Sequence, residues 1–263
     1  MKIAVLRTCG AKRKRKNSGV FWLLIFMAAA LCCILFIQRN SGTTDNRELT
    51  RNLNPHSGVK TNIGLANFAW NALDCRSAYV FGAAGQRVTP EFLHRQASRF
   101  AGNQRAGLSG SELGWIYARY GGRPAFDCIG LIKAYSWIDE RTGEISAKHN
   151  NAMPDCTANG LLAQASGYGP IAAMPDIPGL AVQMNGHIGV YVGSGEVIEA
   201  QGNRSGVKKT KLNGRGWKWY VKVPGIRYEE NGTFLIHGRQ ITLRRGKICQ
   251  TKVIPGIFGQ KPQ

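Results

Sequence analysis

A chain of 263 residues, 43% of them apolar, has room for one packed domain and its appendages. Its 35 Lys and Arg against 15 Asp and Glu leave a formal charge of +20, which fits an anionic partner without choosing between lipid, nucleic acid and an acidic polymer. The seven cysteines show no CxxC spacing, which removes support for a zinc ribbon or a thioredoxin-like motif.

The charge is uneven along the chain. Seven basic residues and no acid precede Ser18, five of them in the run Lys12-Arg13-Lys14-Arg15-Lys16. Gly19 to Ile37 then carries no charge and is long enough to cross a hydrocarbon core of ~30 Å as a helix. A cleaved signal peptide has a shorter apolar region ending in small residues, whereas Ile34-Leu35-Phe36-Ile37 follow Cys32 and Cys33 here. The expectation is a basic cytoplasmic tail over 1–18 and an uncleaved single-pass anchor over 19–37 in a cell membrane. By the positive-inside rule, the remainder faces outward. Residues 38–62 are polar and read as a linker.

Order resumes at Asn62, a plausible N-cap for a helix whose apolar face is Leu65, Phe68, Ala69 and Ala72. Thr89-Pro90-Glu91 opens a second helix with Leu93, Ala97 and Phe100 on its stripe. Ser109 and Glu112 form a capping-box pattern before Leu113, Ile116, Tyr117 and Tyr120. Cys128, Leu131, Ile132 and Tyr135 recur at helical spacing, which puts Cys128 in the first turn of another helix. The period then changes. Leu180 to Met184 meets the turn signal Asn185-Gly186, and His187 to Val192, Glu196 to Ala200, Val207 to Leu212 and Trp217 to Val223 follow as strands. Helices first and an antiparallel meander second describe an α+β domain over 63–228. Residues 229–263 form a basic tail with Phe234-Leu235-Ile236 and Ile241-Thr242-Leu243 as a possible hairpin and His237 at its turn.

Cys128 and His187 are the candidate reactive pair. A helix N-terminus favours a thiolate, and an imidazole can take up and return its proton. Taken alone, a cysteine is more often a small buried hydrophobe. His187 at a strand start, between Gly186 and Gly189, changes the balance. A third group must hold the imidazole tautomer. If Gly193-Ser194-Gly195 is a three-residue loop, His187 faces Gln201 and Glu199 lies diagonally on the same face. A two- or four-residue loop reverses that parity. Glu199 is the first candidate and Gln201 the alternative.

At these residues the sequence resembles the NlpC-type family of bacterial cell-wall cysteine peptidases. Asp127-Cys128-Ile129-Gly130-Leu131 matches an Asp-Cys-Ser-Gly-Leu motif at a helix start. His187-Ile188-Gly189-Val190-Tyr191-Val192-Gly193 matches the histidine strand, and Glu199 occupies the place of a polar third residue. Ala78-Tyr79-Val80-Phe81-Gly82 is similar to a segment whose tyrosine lines the site. The resemblance spans about Ile63 to Arg227 and implies a papain-like core, with a cysteine-bearing helix packed on an antiparallel sheet that carries the histidine. It implies substrate-binding roles for Tyr79, Asp127 and the position of Ile129, where the motif's serine is missing. The charged Glu199 also stands where His, Asn or Gln is usual.

The resemblance further implies a thiol peptidase that cuts an amide of peptidoglycan stem peptides through an acyl-enzyme on Cys128, with no metal and no organic cofactor. The alternative is an impaired, wall-binding scaffold of an envelope-spanning complex, with Ile129 as its main support. Lys208-Lys209-Thr210-Lys211 beside Trp217, Trp219 and Tyr220 reads as the solvated and buried faces of strands rather than as a nucleic-acid surface.

Overall fold

The computed structural model describes residues 46–51, 53, 58–149 and 151–254. The basic tail and the anchor expected over 1–37 lie outside them. Among the described residues no helix is long and apolar enough to cross a membrane.

Helix α1 (Asn62–Asp74) buries Leu65, Phe68, Ala69 and Ala72 completely, as its apolar period requires. Its cap is Thr61, not Asn62: Thr61 Oγ1 accepts the Gly64 N–H at 3.0 Å, while the Asn62 side chain donates to Pro178 O at 2.8 Å. Thr89 caps α2 (Pro90–Arg99) by accepting the Phe92 N–H at 3.1 Å. The capping box expected before α3 (Gly110–Tyr120) does not form. Ser109 makes no capping bond, and Glu112 pairs with Arg204 instead. Three short strands, β1 (Ala78–Tyr79), β2 (Ala84–Arg87) and β3 (Pro124–Phe126), make a sheet ordered β1-β3-β2. Strands of two to four residues show no readable period, which is why the sequence does not announce them.

Helix α4 (Cys128–Trp137) and the short α5 (Ala158–Gln164) precede the main sheet. Its strands are β4 (Gly167–Pro170), β5 (Ala181–Met184), β6 (His187–Gly193), β7 (Glu196–Gly202), β8 (Gly206–Lys211) and β9 (Trp219–Lys222), ordered β4-β9-β5-β6-β7-β8. Every neighbouring pair is antiparallel. Phe68 from α1 and Leu131 and Tyr135 from α4 share one core with Ile188, Val190, Ile198 and Ala200. Val182, Tyr191, Val197 and Trp217 form a separate apolar cluster. This is the α+β arrangement of helices on an antiparallel sheet.

Two stretches expected as appendages are folded. Arg47–Thr50, within the expected linker, forms a 3-10 turn with Leu49 fully buried, and Asn71 holds it by donating to Leu49 O and Arg51 O at 2.9 and 2.7 Å. Beyond residue 229, β10 (Gly232–Ile236), β11 (Arg239–Arg244) and β12 (Lys247–Val253) make a third, antiparallel sheet. His237 is the turn residue at φ 45°, and Ile236, Ile241 and Leu243 join the main core, so this region is a layer of the domain through β12.

Candidate active site

Asp127 starts the site. Its Oδ1 accepts the Gly130 N–H at 2.6 Å, capping α4, and its Oδ2 accepts the Gly82 N–H at 2.9 Å. The β1–β2 loop is thereby tied to the helix that carries Cys128. Gly130 permits the contact, because a Cβ there would lie 1.8 Å from the Ala83 carbonyl oxygen. Burial holds the Asp127 carboxyl above its ordinary value, against the opposing effects of the Gly130, Gly82 and Ile129 amides and the Lys133 charge.

Cys128 is the first residue of α4, half-buried against the main core. Burial pushes its thiol up to about 12, and the Asp127 charge adds to the rise. The amides of Ile129, Ile188 and Cys128 itself oppose this and do not prevail. The expectation of a helix terminus that favours a thiolate is therefore corrected: desolvation and the adjacent carboxylate outweigh the backbone dipoles. Because the Ile188 amide acts on the sulfur, the thiol abuts β6 one residue after His187. Tyr79 adjoins the same group. Burial raises its hydroxyl pKa, and the charges of Cys128 and Asp127 raise it further. The Ile129 side chain is 4% exposed and lies in the main core. Its side chain packs among the core residues rather than into solvent.

His187 opens β6 after the turn at Asn185-Gly186, with Met184 and His187 as cross-strand partners. Of the two turn residues only Gly186 has a positive φ, 74°. Asn159 of α5 braces the turn from outside, accepting the Gly186 N–H at 2.7 Å and donating to Asn185 Oδ1 at 2.9 Å.

The next connection sets the register. Gly193 pairs with Glu196, so the turn is the two residues Ser194 and Gly195, at φ 55° and 70°. Such a loop alone would reverse the facing expected of a three-residue one. A bulge between Tyr191 and Gly193 cancels that reversal, and Tyr191 pairs with Val197 and Val190 with Ile198. Continued along the strands, this register sets Gly189 opposite Glu199 and His187 opposite Gln201. Gly189 makes room: a Cβ there would be 2.7 Å from Val197 Cγ1 and 3.2 Å from Glu199 Cβ.

His187 Nε2 lies 2.6 Å from Glu199 Oε2. Glu199 is 0% exposed. Burial alone would raise its pKa, but hydrogen bonds from His187, Arg215 and Thr210 outweigh it and bring the carboxyl down to about 2. An ionised carboxylate only accepts, so Nε2 is the protonated nitrogen and Nδ1 of a neutral ring is left as a base.

Three neighbours of this pair carry no sequence signal as site residues. Arg215 grips Glu199 with two bonds, Nε to Oε1 at 2.9 Å and Nη2 to Oε2 at 2.5 Å. Thr210 Oγ1 donates to Oε1 at 2.6 Å. Trp217, expected as a strand residue, precedes β9 and stacks on the His187 ring with centroids 5.7 Å apart and planes 16° off parallel. A buried glutamate demands a cation, and Arg215, in Gly214-Arg215-Gly216 between β8 and β9, meets that demand.

Cys75, Cys128, Cys156 and Cys249 are free thiols. Among the described residues no group of three or more His, Cys, Asp or Glu side chains could hold a metal. Lys209 and Lys211 lie 2.8 and 3.6 Å from Glu196, so part of the basic run is paired within the fold.

No protein-family model matches the chain, and no curated protein matches it. Similar solved structures include the peptidoglycan hydrolase RipB from Mycobacterium tuberculosis, at 21% identity over 42% of this chain and 50% of that one, with a TM-score of 0.28. NlpC2 from Trichomonas vaginalis is 16% identical over 62% of this chain and 45% of its own, with a TM-score of 0.34. The P60 domain of an antigen from M. avium subspecies paratuberculosis is 15% identical over 64% of this chain and 98% of its own, also at 0.34. The chain thus spans half or less of the length of the first two.

Proposed function

We propose that the protein is a cysteine peptidase acting on amide bonds of peptidoglycan stem peptides, with Cys128 as nucleophile, His187 as base and Glu199 as the residue that orients it. The observation that carries this reading is the 2.6 Å contact of His187 Nε2 with the buried Glu199, His187 opening the strand whose Ile188 shares a core with the helix that begins at Cys128. In this reading Nδ1 takes the thiol proton as sulfur attacks the carbonyl, and gives it to the departing amine as the acyl-enzyme forms. The same nitrogen then activates water to release the acid. The raised thiol fits a resting neutral pair in which proton transfer accompanies attack. The Cys128 N–H, at the start of α4, is the natural donor to the developing oxyanion.

Tyr79 and Asp127 line the cysteine side of the site and are assigned to substrate binding. Residues 19–37 are assigned to a membrane anchor that faces the domain outward. External protease on spheroplasts should then digest the chain beyond Gln38, and a protected domain would refute the assignment.

The deciding experiment is digestion of muropeptides by the full-length protein and by Cys128→Ala, read by mass spectrometry. Cleavage by the wild type alone, with both proteins equally folded, supports the reading. Equal binding of wall fragments by both with no cleavage by either favours the second reading, a wall-binding scaffold. That alternative rests on Ile129, which stands where the motif has its serine.

A further inference from the structure

Glu199 is the most strongly held side chain of the site. Both of its oxygens are engaged, Oε1 by Thr210 Oγ1 and Arg215 Nε, and Oε2 by His187 Nε2 and Arg215 Nη2. A two-point grip of this kind sets the plane of a carboxylate as well as its place, because the guanidinium fork and the carboxylate are both planar. Rotation of Glu199 would break the Arg215 bonds together with the His187 bond. Arg215 also lies over the Trp217 ring at 5.8 Å, and that ring stacks on His187. Base, carboxylate, guanidinium and indole therefore form one continuous assembly.

Charge argues alongside geometry. A carboxylate alone beside an imidazole favours the protonated ring, and an arginine on the same carboxylate offsets that preference. The groups facing His187 and Glu199 come from every adjoining element. They are Arg215 and Trp217 from the β8–β9 connection, and Thr210 of β8. Lys208 of β8 is the cross-strand partner of Glu199. On the α4 side, Cys128 adjoins the Ile188 amide of β6, with Asp127 and Tyr79 beside it.

We infer that Arg215 is a positioning residue of this site: its two-point grip fixes which Glu199 oxygen receives the His187 Nε2–H and shares the carboxylate charge that the ring would otherwise meet alone. The inference rests on the proposed peptidase reading for its kinetic test and on the hydrogen-bond network for its spectroscopic one.

The experiment uses full-length wild type, Arg215→Gln and Arg215→Lys on muropeptides across pH. Arg215→Gln should lower kcat by about 10–100-fold with little change in KM, in line with other groups that orient a histidine. The acid limb of its kcat/KM profile should move up by about one pH unit, as an unshared carboxylate charge stabilises the imidazolium. Arg215→Lys restores the charge but not the fork. It should return the acid limb to its wild-type position while kcat stays about 10-fold low. Unmoved limbs and unchanged kcat per folded molecule in both variants would overturn the inference and leave Arg215 as an anchor of its turn. Should Arg215→Gln not fold, Arg215→Lys decides alone: wild-type kcat overturns the inference, and a lowered kcat at an unmoved limb supports it. Should the wild type cleave nothing, the peptidase reading fails, and the inference is tested without it by ¹⁵N NMR of the His187 ring at pH 8. A proton held on Nε2 in the wild type and redistributed towards Nδ1 in both variants supports it; equal tautomer populations in all three overturn it.

Discussion

Two buried carboxylates lie beside the candidate pair Cys128 and His187, and they are held in opposite ways. Glu199, at the β6–β7–β8 corner, is surrounded by side chains that carry or share positive charge and is lowered to about 2. Asp127, at the start of α4, is held chiefly by backbone N–H groups and stays above its ordinary value. The comparison shows that amides at a helix terminus satisfy a carboxylate's hydrogen bonds without repaying the loss of water around its charge. At Glu199 the side-chain hydrogen bonds from His187, Arg215 and Thr210 together outweigh that loss. Cys128 adjoins the end where backbone amides dominate, and its thiol is raised accordingly.

The largest effect expected from this contrast is kinetic. Glu199→Ala should lower kcat by about 10²–10⁴-fold with the fold retained, the upper end being that of a triad carboxylate. Gln201→Ala, opposite His187 but outside the Glu199 network, should cost far less. A ranking with Gln201 ahead would move the orienting role one step along β7.

At the Asp127 end the sensitive position is a glycine, because the grip there is made by backbone. Gly130→Ala would place a Cβ 1.8 Å from the Ala83 carbonyl and should lower stability by about 1–3 kcal/mol as the β1–β2 loop is forced off α4. Thermal melts check it. A wild-type melting point would mean that the loop yields freely and that Asp127 is less constrained than its two amide bonds imply.

The smallest effect separates the two carboxylates by pH. Glu199 is lowered from 4.5 to about 2, so its ionised form contributes stability that is complete above about pH 4.5 and lost as pH falls towards 2. Asp127 is raised from 3.8, so folding favours its protonated form, and the wild type loses stability as pH rises from 3.8 to the raised value. Melting points recorded across acidic pH should therefore show Glu199→Gln converging on the wild type towards low pH. Asp127→Asn should improve relative to the wild type as pH rises. Parallel curves for the two variants would erase the contrast.

Much of the scaffold is legible in the sequence because its elements are long enough to show a period. The apolar stripe of α1, the Thr89-Pro90 start of α2 and the alternation along β6 and β7 each reflect burial on one face. The start of α4 at Cys128 is legible for a related reason: an Asx residue precedes apolar positions at helical spacing. The short β1–β3 sheet has no period to read, and the third sheet is only half visible because β12 is almost wholly exposed and its composition is polar. In the site, Glu199 and His187 lie on consecutive strands, where facing follows from counting residues. Arg215 lies past β8 in a glycine-flanked turn, and its meeting with Glu199 depends on how that turn folds back, which no local pattern encodes. Ile129 illustrates a different gap. The motif places it beside the cysteine, but the helix rotation turns its side chain into the core.

The bulge between Tyr191 and Gly193 gives the chain an arithmetic of insertions. With a two-residue turn it keeps Glu199 diagonal to His187, and a change of one residue on either side of Ser194-Gly195 would invert every side chain that follows on β7. Glu199 would then project towards the core that Ile198 and Ala200 now share, while one of those apolar side chains met the imidazole. Length variation in this connection should therefore be tolerated in steps of two, or in single steps that remove the bulge at the same time. A descendant of this chain could lengthen its loops elsewhere one residue at a time, but here the count must stay even for as long as the bulge remains.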